Sequence, residues 1–150
     1  MNIIIKKIIP YALKRLLGRS KLFWSLRSKF MGKGVWIRYA KNYSEERRGF
    51  FSSFVDEYEC YTIIDYGCAS GPNLYRIETD LKEKKFYFLG VDISDDALKI
   101  AKSVIKSRAK FSRYLTSENI LELSKQSKDS IVDLAIFDRV LKILNKKDLT

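Results

Sequence analysis

The chain has 150 residues, 46% hydrophobic and 31% charged. This fits one globular domain with a buried core and excludes a disordered tail. The net charge of +11 is placed unevenly: Met1 to Arg48 holds 13 Lys/Arg against 2 Glu, while Gly49 to Thr150 holds 16 basic against 16 acidic residues. With no histidine and only Cys60 and Cys68, Ser-His-Asp and Cys-His catalysis are excluded within these residues, and no metal site is expected.

In chain order, the first apolar run, Ile3 to Ile9, is broken by Lys6 and Lys7. It falls short of the roughly 20 residues of a membrane span, so neither a span nor a secretory signal is expected. From Tyr11 to Phe30, Leu13, Leu16, Leu17, Phe23, Trp24, Leu26 and Phe30 alternate with Lys and Arg. That predicts one or two basic amphipathic helices broken near Gly18. Gly32 and Gly34 predict a loop. A helical stretch from about Ile37 to Tyr58 follows, with Phe50, Phe51, Phe54 and Val55 as its inner face. Residues 1–58 therefore read as a basic helical extension.

The pattern then changes. Tyr61 to Tyr66 is a short β-branched run, the signature of a buried strand. Gly67 to Gly71 is a tight loop, and Pro72 suits the first turn of a helix that runs to about Leu81. Phe86 to Asp92 is a second strand. Ser94 caps the next helix, with Asp95 and Asp96 in its first turn and Ala97, Leu98, Ala101, Val104 and Ile105 as its apolar face. A weaker strand is expected over Lys110 to Leu115, a short helix over Glu118 to Lys125, and a last strand over Ile131 to Phe137. The β-α-β-α-β-α-β order over residues 59–150 predicts an α/β class: a Rossmann-like parallel sheet with helices on both faces, preceded by the basic helices.

The stretch Asp65-Tyr66-Gly67-Cys68-Ala69-Ser70-Gly71 joins a strand to a helix, the context in which a glycine loop approaches a ligand. Asp92 ends the next strand, where a carboxylate can accept from both ribose hydroxyls of a nucleoside. A dinucleotide loop prefers G-x-G-x-x-G, and here Ala69 and Pro72 stand where two of those glycines belong. A bland reading stays open for each residue. The loop can be a plain βα turn, Asp65 a turn cap and Asp92 an ordinary acid before a helix. Cys68 reads as a small neutral loop residue rather than a nucleophile.

Taken together, Asp65, the Gly67–Gly71 loop, Asp92-Ile93-Ser94 and Asp129 to Phe137 resemble class I S-adenosylmethionine-dependent methyltransferases, over roughly Tyr61 to Leu149. The resemblance implies S-adenosylmethionine as cofactor. Asp65 would serve its methionine end, Gly67, Cys68, Ala69, Ser70 and Gly71 would pass beneath it, and Asp92, Ile93 and Ser94 would hold its ribose. Adenine contacts would come from the loop after the third strand, where Thr116 and Ser117 lead the candidates, ahead of Glu118 and Asn119. Asp138 is the candidate proton acceptor, with a plain turn as the competing reading. Val140-Leu141-Lys142-Ile143-Leu144 resembles a V-L-x-H-[I/L] segment of the family, with Ile143 in place of its histidine.

The family sheet has seven strands and four are expected here, so the sequence reads as truncated after the fourth strand, either a fragment or a degenerate product. The expected acceptor is a small molecule or a lipid-linked or envelope-glycan substrate. The expected location is the cytoplasm, with peripheral contact to an anionic membrane through residues 1–30. Nucleic acid ranks behind the membrane as a partner. Two competing functions stay open: a non-catalytic basic adaptor for membrane or RNA, and an NAD-dependent oxidoreductase.

Overall fold

A computed structural model of the chain describes residues 21–42, 45–126 and 132–138. Two helices, α1 (Lys21–Asn42) and α2 (Glu45–Glu57), lead into an alternating unit. It comprises β1 (Thr62–Tyr66), α3 (Pro72–Asp80), β2 (Tyr87–Val91), α4 (Asp95–Val104), β3 (Arg108–Ser112), α5 (Ser117–Ser124) and β4 (Leu134–Ile136). The strands form one sheet in the order β3-β2-β1-β4, and every neighbouring pair is parallel. The α/β Rossmann-like reading is therefore the observed fold. The chain leaves β1 toward β2 on one side, and β4 pairs on the other. The order thus reverses between β1 and β4, which creates a crevice at the carboxyl ends of those strands.

Side-chain alternation builds the two faces. Ile63 of β1, Phe88 of β2 and Ile136 of β4 point to one face, where Val55, Leu74, Ile77 and Ile105 from α2, α3 and the end of α4 close over them. Ile64, Leu89 and Val91 point to the other face and meet Leu123 of α5. A third cluster joins Trp36 of α1 to Ala97 and Ile100 of α4. The N-terminal helices thus pack directly against the helices that cover the sheet.

Four expectations need correction. The expected loop at Gly32 and Gly34 is reduced to a kink: Gly32, at φ 66 and ψ 156, is non-helical and joins two helical stretches. Phe50 does not face inward: it is 65% exposed, because only Phe51, Phe54 and Val55 reach the core. Phe50, Phe54 and Tyr58 instead form a ladder of rings spaced four residues apart, with centroids 6.2 and 4.5 Å apart along it. The third strand begins two residues early, at Arg108. Its register pairs Arg108 with Tyr87 and Ser112 with Val91. Arg108 and Lys110 point outward toward Gln126, just past α5, and Glu122 of α5, so the run lacks the apolar density that marks β1 and β2.

The fourth strand is shorter than its apolar run because Asp133 serves another purpose. Its Oδ2 accepts from the backbone N–H groups of Tyr61 (2.8 Å) and Thr62 (2.7 Å), and its own N–H donates to the Thr62 carbonyl at 3.0 Å. Asp133 clamps the start of β1 to the start of β4. Asp133→Ala is expected to destabilise the fold by about 1–2 kcal/mol, less than two fully buried charged hydrogen bonds, because water can reach the Tyr61 amide. Thermal and denaturant unfolding would read this, and an unchanged midpoint would remove Asp133 from the account. The expected helix over residues 11–20, with Lys14, Arg15 and Arg19, lies outside the described residues, as do Lys6, Lys7 and the segment Val140 to Leu144.

Candidate functional site

The carboxyl edge of the sheet brings the predicted residues to one end. Tyr66 of β1 lies level with Val91 of β2, and Val91 with Ser112 of β3. Across the crevice Asp65 pairs with Ile136, so Asp138 follows β4 at this same end. The rings of Tyr66 and Phe137 lie 5.7 Å apart at the β1–β4 junction.

The glycine loop is built by backbone geometry. Gly67 (φ 78), Ala69 (φ 49) and Gly71 (φ 77) all take left-handed conformations. Ala69 stands where a middle glycine would carry no strain, at a cost of roughly 1–3 kcal/mol. The next strand offsets that strain. Gly67 and Cys68 N–H both donate to the Val91 carbonyl, at 2.7 and 3.0 Å, and Gly71 N–H donates to the Cys68 carbonyl at 2.8 Å. Ala69 N–H donates to Asp92 Oδ2 at 2.9 Å. Ser70 is fully buried and donates from Oγ to the Trp36 carbonyl at 3.0 Å, which ties the loop to α1. Gly90 leaves room beneath: a Cβ there would stand 2.5 Å from the Phe111 ring and 3.0 Å from Cys68 Sγ.

Asp92 links the loop to the next helix. Its Oδ1 accepts from Ser94 N–H at 2.9 Å, while Ser94 Oγ caps α4 by accepting from Ala97 N–H at 3.2 Å. Burial pushes the Asp92 carboxyl above its ordinary range, against the pull of the Ser94 and Ala69 amides. Each carboxylate oxygen keeps a second lone pair for a ligand hydroxyl. Ile93 is half-buried beside it.

Asp65 is 1% exposed, and the Asn73 side-chain amide donates to its Oδ1 at 3.4 Å. Cys68 is buried; burial first, then the charges of Asp65 and Asp92, push its thiol well above the usual range. It is a neutral packing group, as its sequence context indicates.

The third-strand loop is less engaged. Thr116 is exposed and caps α5, accepting from Asn119 N–H at 3.2 Å. Ser117 and Glu118 are exposed in the first turn, and Asn119 is buried. Asp138 is half-buried. Tyr39 packs edge-on against Trp36 at 5.9 Å, within the α1–α4 cluster, so it serves the core. A groove lined by Tyr87, Arg108, Asn119 and Gln126 opens between α5 and the sheet, but Tyr87 and Arg108 start their strands, at the end opposite the crevice. Among the described residues no cluster of His, Cys, Asp and Glu could hold a metal, and no helix is long and apolar enough to cross a membrane.

Sequence reasoning missed Asn73 and the Ser70–Trp36 bond. The first carried one signal: an amide side chain next to Leu74, on the inner face of α3. The second carried none.

The fold and this crevice define a Rossmann-like domain of the nucleoside-binding type. The family described as a methyltransferase domain matches residues 59–150. The chain belongs to this methyltransferase-domain family. Among solved structures it is similar to the plantazolicin methyltransferase BpumL in complex with SAH, with 22% identity over 65% of this chain and 38% of that one, and a TM-score of 0.39. A complex of BpumL with a monoazolic desmethylPZN analog and SAH gives 20% identity over 69% of this chain and 42% of that one, with a TM-score of 0.42. The chain therefore spans less than half the length of these solved relatives. No curated protein matches it.

Proposed function

We propose that the chain binds S-adenosylmethionine at the carboxyl ends of β1 and β2, beside the β1–β4 crevice, and serves methyl transfer to a small-molecule acceptor. One observation carries this reading. Four of the five loop amides are spent inside the protein, on Val91, Cys68 and Asp92, while the buried Asp65 and the half-buried Asp92 flank the loop. A phosphate site needs free N–H groups at a helix start. Here Pro72 removes one N–H and the loop consumes four more. The crevice suits a cationic, phosphate-free nucleoside with a vicinal diol, and disfavours the anionic pyrophosphate of NAD.

In this reading Asp92 accepts from the ribose hydroxyls, the Gly67–Gly71 backbone passes beneath the cofactor, and Asp65 serves the methionine end. Ile93 and Ser94 support the ribose side, and Thr116 and Ser117 face the adenine. The bound cofactor supplies an electrophilic methyl group on a sulfonium. The chain's task is to hold an acceptor in line with it, so positioning supplies much of the acceleration. Asp138 is the candidate to take an acceptor proton. Titration calorimetry with S-adenosylhomocysteine tests the reading: micromolar binding beside no NAD binding is expected. NAD binding without S-adenosylhomocysteine binding would reverse it in favour of the oxidoreductase.

A finer reading concerns the acceptor. The 13-to-2 basic excess before Gly49 supports contact with an anionic bilayer, and hence a lipid-linked or envelope-glycan acceptor. Replacing Lys6, Lys7, Lys14, Arg15 and Arg19 together by Gln should abolish sedimentation with anionic vesicles. Unchanged sedimentation would end the membrane reading. Capture of RNA with a steep salt dependence would favour the adaptor.

A further inference from the structure

Asn73 stands in the first turn of α3, two residues past the glycine loop, and is 3% exposed. Its Nδ2 faces Asp65 Oδ1 at 3.4 Å. The reverse orientation of the amide would set two oxygens against each other, so the carboxylate fixes which end points where. That leaves Asn73 Oδ1 buried and without a hydrogen-bond donor among the described residues. A buried acceptor left unmade is costly, and such groups in folded proteins call for an explanation. The Nδ2 contact gives the amide a structural part at Asp65, but neither the fold nor the capping of α3 accounts for the unmet Oδ1. Leucine has the same branched shape, though a larger volume, and would extend the apolar face made by Leu74 and Ile77.

We infer that Asn73 is a cofactor-binding residue, whose Oδ1 accepts a hydrogen bond from the ammonium at the amino-acid end of the cofactor or from a water bound to it. This rests on the S-adenosylmethionine reading above. The chemistry fits the position. Asp65 brings negative charge next to the amide, and its long contact with Nδ2 leaves the amide carbonyl oriented and unspent. Both groups are shut off from bulk water, so a donor seated there meets little competition from solvent. The amide thus helps the site tell a ligand carrying the amino-acid end from a nucleoside thioether lacking it.

The test compares S-adenosylhomocysteine with 5′-methylthioadenosine, which lacks the amino-acid end, by calorimetry on the full chain and on Asn73→Leu. The variant is expected to lose about tenfold or more in affinity for S-adenosylhomocysteine. Its affinity for 5′-methylthioadenosine should stay within about twofold, while its melting temperature is expected to fall, since Asp65 Oδ1 loses the hydrogen bond from Nδ2. A purely structural role predicts both ligands weakened alike. Equal loss of both ligands, or no loss of either, overturns the inference while leaving the cofactor reading in place. A native chain that binds neither ligand overturns both. Asn73→Ser, smaller and still polar, gives the same ligand comparison if the leucine variant does not fold.

Discussion

Replacing Asp92 by alanine is expected to weaken S-adenosylhomocysteine binding by about a hundredfold or more. Two losses combine. The ribose loses a charged acceptor, worth roughly 1.5–3 kcal/mol for each hydrogen bond to it. The N–H groups of Ala69 and Ser94 also lose their partner, so the left-handed Ala69 is no longer held and the loop relaxes. Calorimetry reads the affinity, and binding within tenfold of the native chain would remove Asp92 from the ribose site. The raised carboxyl of Asp92 adds a pH signature. Its folded pKa lies above the unfolded value of about 3.9. Its contribution to stability is therefore fully present below that value and is lost as pH rises through the folded pKa. Ligand affinity runs the other way, because a protonated carboxyl accepts poorly: it falls as pH drops through the folded pKa. Asp92→Asn should flatten both profiles. Parallel rather than opposed trends in melting temperature and affinity would rule out Asp92 as their source.

What the sequence made legible follows from how far each interaction reaches along the chain. The Ser94 cap, the acids after it and the apolar face of α4 all sit within ten residues or so, and periodicity captures them. The loop between Asp65 and Gly71 is equally local. Asp133 was hidden because its partners, Tyr61 and Thr62, lie in another strand. An acid inside an apolar run gives no hint that it serves a neighbouring strand. Ser70 and Trp36 meet only because α1 packs on α4. For Asn73 the pattern held a visible anomaly, a polar residue on an inner helix face, but its meaning depends on Asp65 being 3.4 Å away. The third strand was displaced because Arg108 and Lys110 face α5 while only Ala109 and Phe111 turn toward the core. Alternation in a strand of five residues gives a weak signal once half of it is charged.

The loop's left-handed geometry also predicts the largest stability loss in the site. Gly71→Ala is expected to cost about 2–3 kcal/mol, from two sources that can be separated. The first is conformational: at φ 77 an alanine Cβ strains the backbone. The second is steric: that Cβ would lie 3.3 Å from Ala101 Cβ on α4 and 3.6 Å from Ile105 Cγ1. Ala101→Gly removes the first contact at its own helix cost of about 1 kcal/mol. In the double variant the two losses should fall short of additivity by about 1 kcal/mol, which is the steric share. Full additivity in denaturant unfolding would mean that the loop and α4 do not press on each other. The same series links packing to function. Gly71 opens α3 at the point where the loop turns under the proposed cofactor, and α4 begins at the Ser94 cap beside Asp92. Pushing α3 and α4 apart should therefore shift Ala69 away from Asp92. S-adenosylhomocysteine affinity is then expected to fall in Gly71→Ala and to recover in part in the double variant, in step with the recovered stability.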